Sequence, residues 1–161
     1  AIDNKKVRKP EIIKFELEPL LQKVIRRFDG IVTDRKMKIE IIVANLRSVK
    51  TSPQIIDTIF FNLLSNAIKY SPDGTTVYVK IESKKGMFSI SVRDEGPGIA
   101  DEYKEKIFER FYRIKNDSVY RVKGTGIGLC LCQYFAGLIN SEISLTSVID
   151  EGSTFLLEVP Q

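Results

Sequence analysis

Two periods run through the apolar positions of this chain, and they divide it into elements. Leu20, Leu21, Val24, Ile25 and Phe28 recur at helical spacing behind Pro19, a residue suited to a first turn, and Gly30 closes that predicted helix. The longest helical stripe is Ile55, Ile56, Ile59, Phe60, Leu63, Leu64, Ala67 and Ile68, opened by Ser52 as N-cap with Pro53 in the first turn and stopped by Ser71, Pro72, Asp73 and Gly74. A third helix is predicted over residues 126–139 and a short one over 101–108. Residues 12–17 and 38–43 read as strands. Residues 76–82 and 88–93 alternate at period two around Lys84, Lys85 and Gly86, a hairpin whose inward set is Val77, Val79, Ile81, Phe88, Ile90 and Val92. A closing hairpin joins 143–148 to 155–159 through Asp150, Glu151 and Gly152. The stretch from Tyr112 to Lys123 is polar, basic and aperiodic, and reads as a mobile loop. The elements sum to an α+β fold, a two-layer sandwich with one mixed sheet and its helices on a single face.

Composition narrows the class. With 161 residues, 43% hydrophobic and 29% charged, the chain suits one globular domain. No window approaches 18 uninterrupted apolar residues and no signal-peptide pattern opens the chain, so the expectation is a soluble piece. Residues 1–11 are polar, basic and aperiodic at their start, and read as a linker from a longer protein, with the domain over 12–161. Cys130 and Cys132 lie two apart on a predicted helix, about 200° around its axis, so they can neither pair nor share a metal. They read as reduced packing residues. A net charge of +4, with both signs interspersed, lacks the dense basic stripe of a nucleic-acid surface. Histidine is absent from the sequence, which removes the commonest general base and zinc ligand.

Four segments carry candidate chemistry. Asn62, Asn66 and Lys69 fall within about 60° of one another on the polar face of the longest helix. Asparagine is a mediocre helix former, and two of them one turn apart are either a solvated face or a site. Asp94, Gly96, Gly98 and Ile99 follow the second hairpin strand, where a carboxylate beside glycines can face a ring that approaches the backbone. A carboxylate only accepts hydrogen bonds, so it suits the amino group of adenine and repels the guanine carbonyl, unless the tetrad is an ordinary turn. Gly124, Thr125, Gly126, Ile127 and Gly128 run into a helix and can present amides to phosphate, with Arg113, Lys115, Arg121 and Lys123 in the loop before them. The spacing fits neither the dinucleotide fingerprint nor a Walker A loop. Phe108 and Phe111 read as anchors for the loop base, and Gly152, Ser153, Thr154 and Phe155 place hydroxyls at a hairpin turn.

In this order the segments resemble the ATP-binding catalytic domain of sensor histidine kinases, over nearly the whole chain from residue 12. The 62–70 segment is similar to the N box, 94–99 to the first glycine box, 107–111 to the F box and 124–129 to the second glycine box. The resemblance implies the Bergerat fold, with a mostly antiparallel sheet, three main helices on one face and a mobile ATP lid. It implies that Asn66 coordinates Mg²⁺ on the phosphates of ATP with support from Asn62, that Lys69 and Arg113 contact phosphate, and that Tyr70 lies near the adenine. Asp94 then reads the adenine amino group, Gly96, Gly98 and Ile99 shape its pocket, and Gly124, Thr125, Gly126, Ile127, Gly128 and Leu129 form the lid hinge and amide cradle. Thr154 is implied as a peripheral pocket residue. Few protein ligands and an oxygen-rich set suit Mg²⁺.

Related ATPases of the superfamily carry a Glu one turn before the metal-binding Asn. Here that position is Asn62, which cannot take a proton from water. The expectation is phosphoryl transfer to a histidine on a separate dimerisation domain, then relay to a response regulator, with an isolated domain that is monomeric and a parent that is a cytoplasmic or membrane-anchored homodimer. No nucleic-acid partner is expected. A nucleotide-sensing module without catalysis stays open as the alternative, with an ATPase behind it.

Overall fold

The computed structural model describes residues 9–46, 48–114 and 128–161. Among them β1 (Ile13–Glu16) leads without a break into α1 (Leu17–Arg26), because Leu17 turns inward with Leu21 and Val24 and becomes the first helical residue. Pro19 thus lies in the first turn. Gly30 does not end this helix. The chain turns at Arg27 and Phe28 and resumes as α2 (Asp29–Asp34), with the Phe28 ring stacked on Phe61 at 5.0 Å. An aromatic contact across elements, rather than the glycine, sets the break.

β2 (Lys38–Ala44) and β3 (Ser48–Thr51) precede α3 (Pro53–Tyr70). β4 (Thr76–Lys84) and β5 (Met87–Arg93) form the expected hairpin around Lys85 and Gly86, and two short 3₁₀ turns follow, Asp101–Tyr103 and Lys106–Phe108. The single helix expected over 101–108 is replaced by these turns. Of this stretch Ile107 and Phe108 pack against the core, too little apolar surface to hold a regular amphipathic helix there. α4 (Gly128–Leu138), β6 (Glu142–Val148) and β7 (Gly152–Pro160) close the chain.

The main sheet has the order β2-β4-β5-β7-β6, parallel between β2 and β4 and antiparallel elsewhere. A parallel pair needs a long crossover, and the segment holding α3 supplies it. β1 and β3 pair antiparallel as a separate two-stranded sheet, so the expectation of one sheet needs correction. A four-residue strand is too short to show a period. α3 lies on the main sheet with α1 and α4 packed on either side of it. The core between the layers contains the whole predicted stripe of α3 and all six inward residues of the β4–β5 hairpin. Among the described residues no helix is long and apolar enough to cross a membrane.

Candidate functional site

The polar edge of α3 forms one wall of a cavity. Ser52 Oγ accepts from the Ile55 N–H at 3.3 Å and fixes the start of the helix. With the apolar stripe committed to the core, the remaining face presents Asn62, Ser65, Asn66, Lys69 and Tyr70 to the cavity. The structure therefore brings together the four residues expected from this segment and adds Ser65, which the sequence offered only as a polar residue of the same turn. Asn62 Nδ2 donates to the Thr58 carbonyl at 2.8 Å, which leaves its Oδ1 turned toward the start of α4. A Cβ at Gly128 would stand 3.0 Å from that oxygen, so the glycine gives the amide room.

The last turn of α3 is held from outside the site. Arg35, just after α2, donates from Nη1 and Nη2 to the carbonyls of Ile68 and Ser71, and from Nε to Asp73 Oδ1 at 2.8 Å. Its own carbonyl accepts from Gly74 N at 2.9 Å. A cation on the orphan carbonyls of a helix end satisfies them and complements the helix dipole. Lys69 and Tyr70 sit on the turn so fixed.

The opposite end of the cavity is built around Asp94. Its N–H donates to the Ser153 carbonyl at 2.9 Å, which continues the β5–β7 ladder by one residue and carries the side chain inward. Oδ1 accepts from Gly96 N at 2.9 Å and Ser153 N at 3.2 Å. Burial pushes the Asp94 carboxyl above its ordinary range, and those two N–H donors oppose the shift. The neighbouring Glu95 is turned away to the Thr76 N–H at 3.0 Å, so Asp94 is the carboxylate that lines the cavity. At Gly96 a Cβ would come within 2.7 Å of the Tyr70 carbonyl, which couples this loop to the end of α3. Gly98 has φ +74°, and a Cβ there would run into the Val148 carbonyl. Both glycines are required by close approach of the protein's own backbone, and of the two Gly98 lines the cavity. Ile99 also lines the cavity.

Arg113, Gly128 and Leu129 complete the wall near the polar end. Gly124, Thr125, Gly126 and Ile127 lie outside the described residues, as do Lys115, Arg121 and Lys123. Two expectations are corrected. Phe108 is the loop-base anchor, edge-on to Phe155 at 6.1 Å, whereas Phe111 is 61% exposed, with φ 65° and the Arg110 guanidinium 4.9 Å over its ring. Thr154 is on the face of β7 that looks away from the cavity, between its ladder partners Arg93 and Thr146, and Ser153 takes the pocket position. Both hydroxyls were in view in the sequence, but which one faces inward depends on the register of β7. The cysteines behave as packing residues. Cys132 is buried, its thiol pushed up to about 12 by desolvation, and Cys130 is partly exposed.

The cavity thus offers a buried acceptor at one end, and amide oxygens with an ammonium at the other. No cluster of three or more His, Cys, Asp or Glu exists among the described residues. The amides of Asn62 and Asn66 are hard oxygen donors that suit a cation completing its shell from phosphate and water, so the residues fit Mg²⁺ carried with a polyphosphate.

A protein-family model described as histidine kinase-, DNA gyrase B-, and HSP90-like ATPase matches residues 51–161. The chain is 31% identical over 154 residues to the sensor-like histidine kinase SenX3 of Mycolicibacterium smegmatis, covering 96% of this chain and 40% of that protein. It is 33% identical over 146 residues to the adaptive-response sensory kinase SasA of Gloeothece citriformis, covering 89% of this chain and 37% of that protein. It thus spans less than half the length of these relatives. Among solved structures, the nucleotide-free catalytic domain of histidine kinase ThkA superposes with a TM-score of 0.83 at 26% identity, covering 93% of this chain and 95% of that one.

Proposed function

The chain belongs to the histidine kinase-, DNA gyrase B- and HSP90-like ATPase family, and from that premise we propose that it binds MgATP and passes the γ-phosphoryl group to a histidine. The observation that carries this reading is one cavity lined both by Asp94, with Tyr70 at the end of α3 beside its loop, and by Asn62, Asn66 and Lys69. Asp94, anchored through Oδ1, keeps its second oxygen for the exocyclic amino group of adenine. Asn66, supported by Asn62, would hold the Mg²⁺ carried with the substrate, which would offset phosphate charge, and Lys69 places its ammonium against the phosphate oxygens. Arg113 contacts phosphate from the facing wall. Gly128 and Leu129 line the cavity at the start of α4, where a helix N-terminus presents amides to phosphate.

Catalysis by this chain is positioning and charge stabilisation. No side chain in the Asn62 position can take a proton from water at neutral pH, which favours transfer over hydrolysis. The sequence contains no histidine, so the acceptor lies on a segment outside these residues, a dimerisation domain of the same parent. Residues 1–11 form the linker toward it, and a response regulator receives the group next. The parent is a homodimer whose catalytic domain lies in the cytoplasm, on a protein that is free or membrane-anchored.

The test supplies the parent's histidine-bearing hairpin in trans with γ-labelled MgATP. Acid-labile phosphohistidine on the hairpin, with none on this chain, is the expected result. Nucleotide binding without transfer identifies a sensing module instead, and label on this chain's own side chains overturns the reading.

A further inference from the structure

Ser147 lies in β6 behind the cavity, buried, directly opposite Ser153 in the β6–β7 ladder. Its Oγ has three partners. It accepts from the Ile99 N–H at 2.7 Å, lies 3.0 Å from the Gly152 carbonyl oxygen, and lies 2.8 Å from Ser153 Oγ. Proton counting orders this cluster. A carbonyl only accepts and Ser147 owns one hydroxyl hydrogen, so the bond to Gly152 uses it. The contact between the two hydroxyls is then a hydrogen bond only when Ser153 donates. With its hydrogen committed to Ser147, Ser153 turns lone pairs toward the cavity it lines.

Ser153 stands beside Asp94, since its backbone N–H donates to Asp94 Oδ1 at 3.2 Å, and both residues line the cavity. Two acceptors side by side match the two hydrogens of one exocyclic amino group and both repel a carbonyl oxygen in its place. The geometry points to Ser147 as a positioning residue that fixes Ser153 as an acceptor and makes this end of the cavity select a 6-aminopurine over a 6-oxopurine. The inference rests on the ATP-binding reading and goes beyond it, because base selection is assigned to a residue that never touches the nucleotide. Asp94 alone excludes a carbonyl only in part. A Ser153 hydroxyl free to rotate could donate to that carbonyl and recover affinity for the wrong base.

The experiment measures dissociation constants of the magnesium complexes of ATP and inosine triphosphate for this chain and its Ser147 variants by titration calorimetry. The wild type should prefer ATP. In Ser147→Ala the ratio of the two constants should fall about fivefold, the worth of one hydrogen bond. Loss of the Ile99 contact weakens both nucleotides alike and so leaves the ratio unmoved. Ser147→Thr, which keeps the hydroxyl, should restore the ratio. Ser147→Cys keeps the volume with a poor hydrogen-bonding group, and replaces the alanine variant if that one fails to fold. Equal weakening of both nucleotides, or an unchanged ratio, means that Ser147 only braces the loop and overturns the inference while ATP binding stands. A wild-type chain that binds neither nucleotide overturns the ATP-binding reading, and this inference with it.

Discussion

In the proposed site, Asp94 is placed where nucleotide binding and folding want opposite protonation states. Burial raises its pKa in the folded chain, so its contribution to stability is fully present below the unfolded value and is lost as pH rises through the folded one. Adenine needs the ionised acceptor, which forms over that same rise. Asp94→Asn should therefore leave the unliganded chain at neutral pH melting no lower than wild type, because the amide oxygen can still accept from Gly96 and Ser153 without a buried charge. ATP affinity should fall between about tenfold and a hundredfold, the worth of a hydrogen bond to a charged group. Thermal unfolding and calorimetry at several pH values read both effects. Wild-type affinity should decline on acidification through the raised pKa, while that of the variant stays flat. Asp73→Asn is the control, since that carboxylate is 76% exposed and pairs with Arg35 outside the cavity. An equal loss of ATP affinity in both variants removes Asp94 from the site. At this scale the sequence showed which residue types could act. It could not choose between Ser153 and Thr154, whose difference is one step of strand parity, or separate Phe108 from Phe111, whose difference is one of burial.

α3 shows what an element carries locally and what it borrows. Its N-cap, first-turn proline, apolar stripe and terminating turn are all local, and each was legible. The anchor of its far end was not, because Arg35 arrives from 36 positions before Ser71. Arg35→Met should lower the unfolding free energy by about 1–3 kcal/mol, since it strips a partly buried cation from two helix carbonyls. Denaturant unfolding checks this. MgATP should also bind less tightly, because Lys69 and Tyr70 ride on the released turn. An unchanged nucleotide affinity in the destabilised variant separates the anchor from the site. The loop element has a sharper requirement. Gly98→Ala meets both a left-handed φ and the Val148 carbonyl, so it should destabilise by about 1 kcal/mol or more and weaken ATP binding, read by the same two measurements. Where period was weak, local reading failed. The 3₁₀ turns at 101–108 and the short β3 owe their form to what they pack or pair against.

Across the whole molecule, the cavity depends on joining segments far apart in the chain, and the proposed transfer depends on a nucleophile the chain does not hold. With no histidine among 161 residues, the isolated chain should bind MgATP yet remain unlabelled by it, as a phosphate-transfer assay without the hairpin would show. The sheet order explains why the cavity exists. β5 is flanked by β4 and β7, so the end of β5 is carried against the hairpin at 152–155 while the crossover holding α3 lies over the same edge. By itself the sequence determined the types and buried faces of the strongly periodic elements, the polar platform at 62–70 and the absence of a base at Asn62, because period, capping and side-chain chemistry act within a few residues. Only the tertiary structure decided that Asp94 meets Ser153, 59 positions later, that Ser153 rather than Thr154 lines the cavity with Ser147 behind it, and that Arg35 closes α3. Such contacts follow from register and crossover, and those are fixed by packing of the whole core rather than by any stretch of the chain.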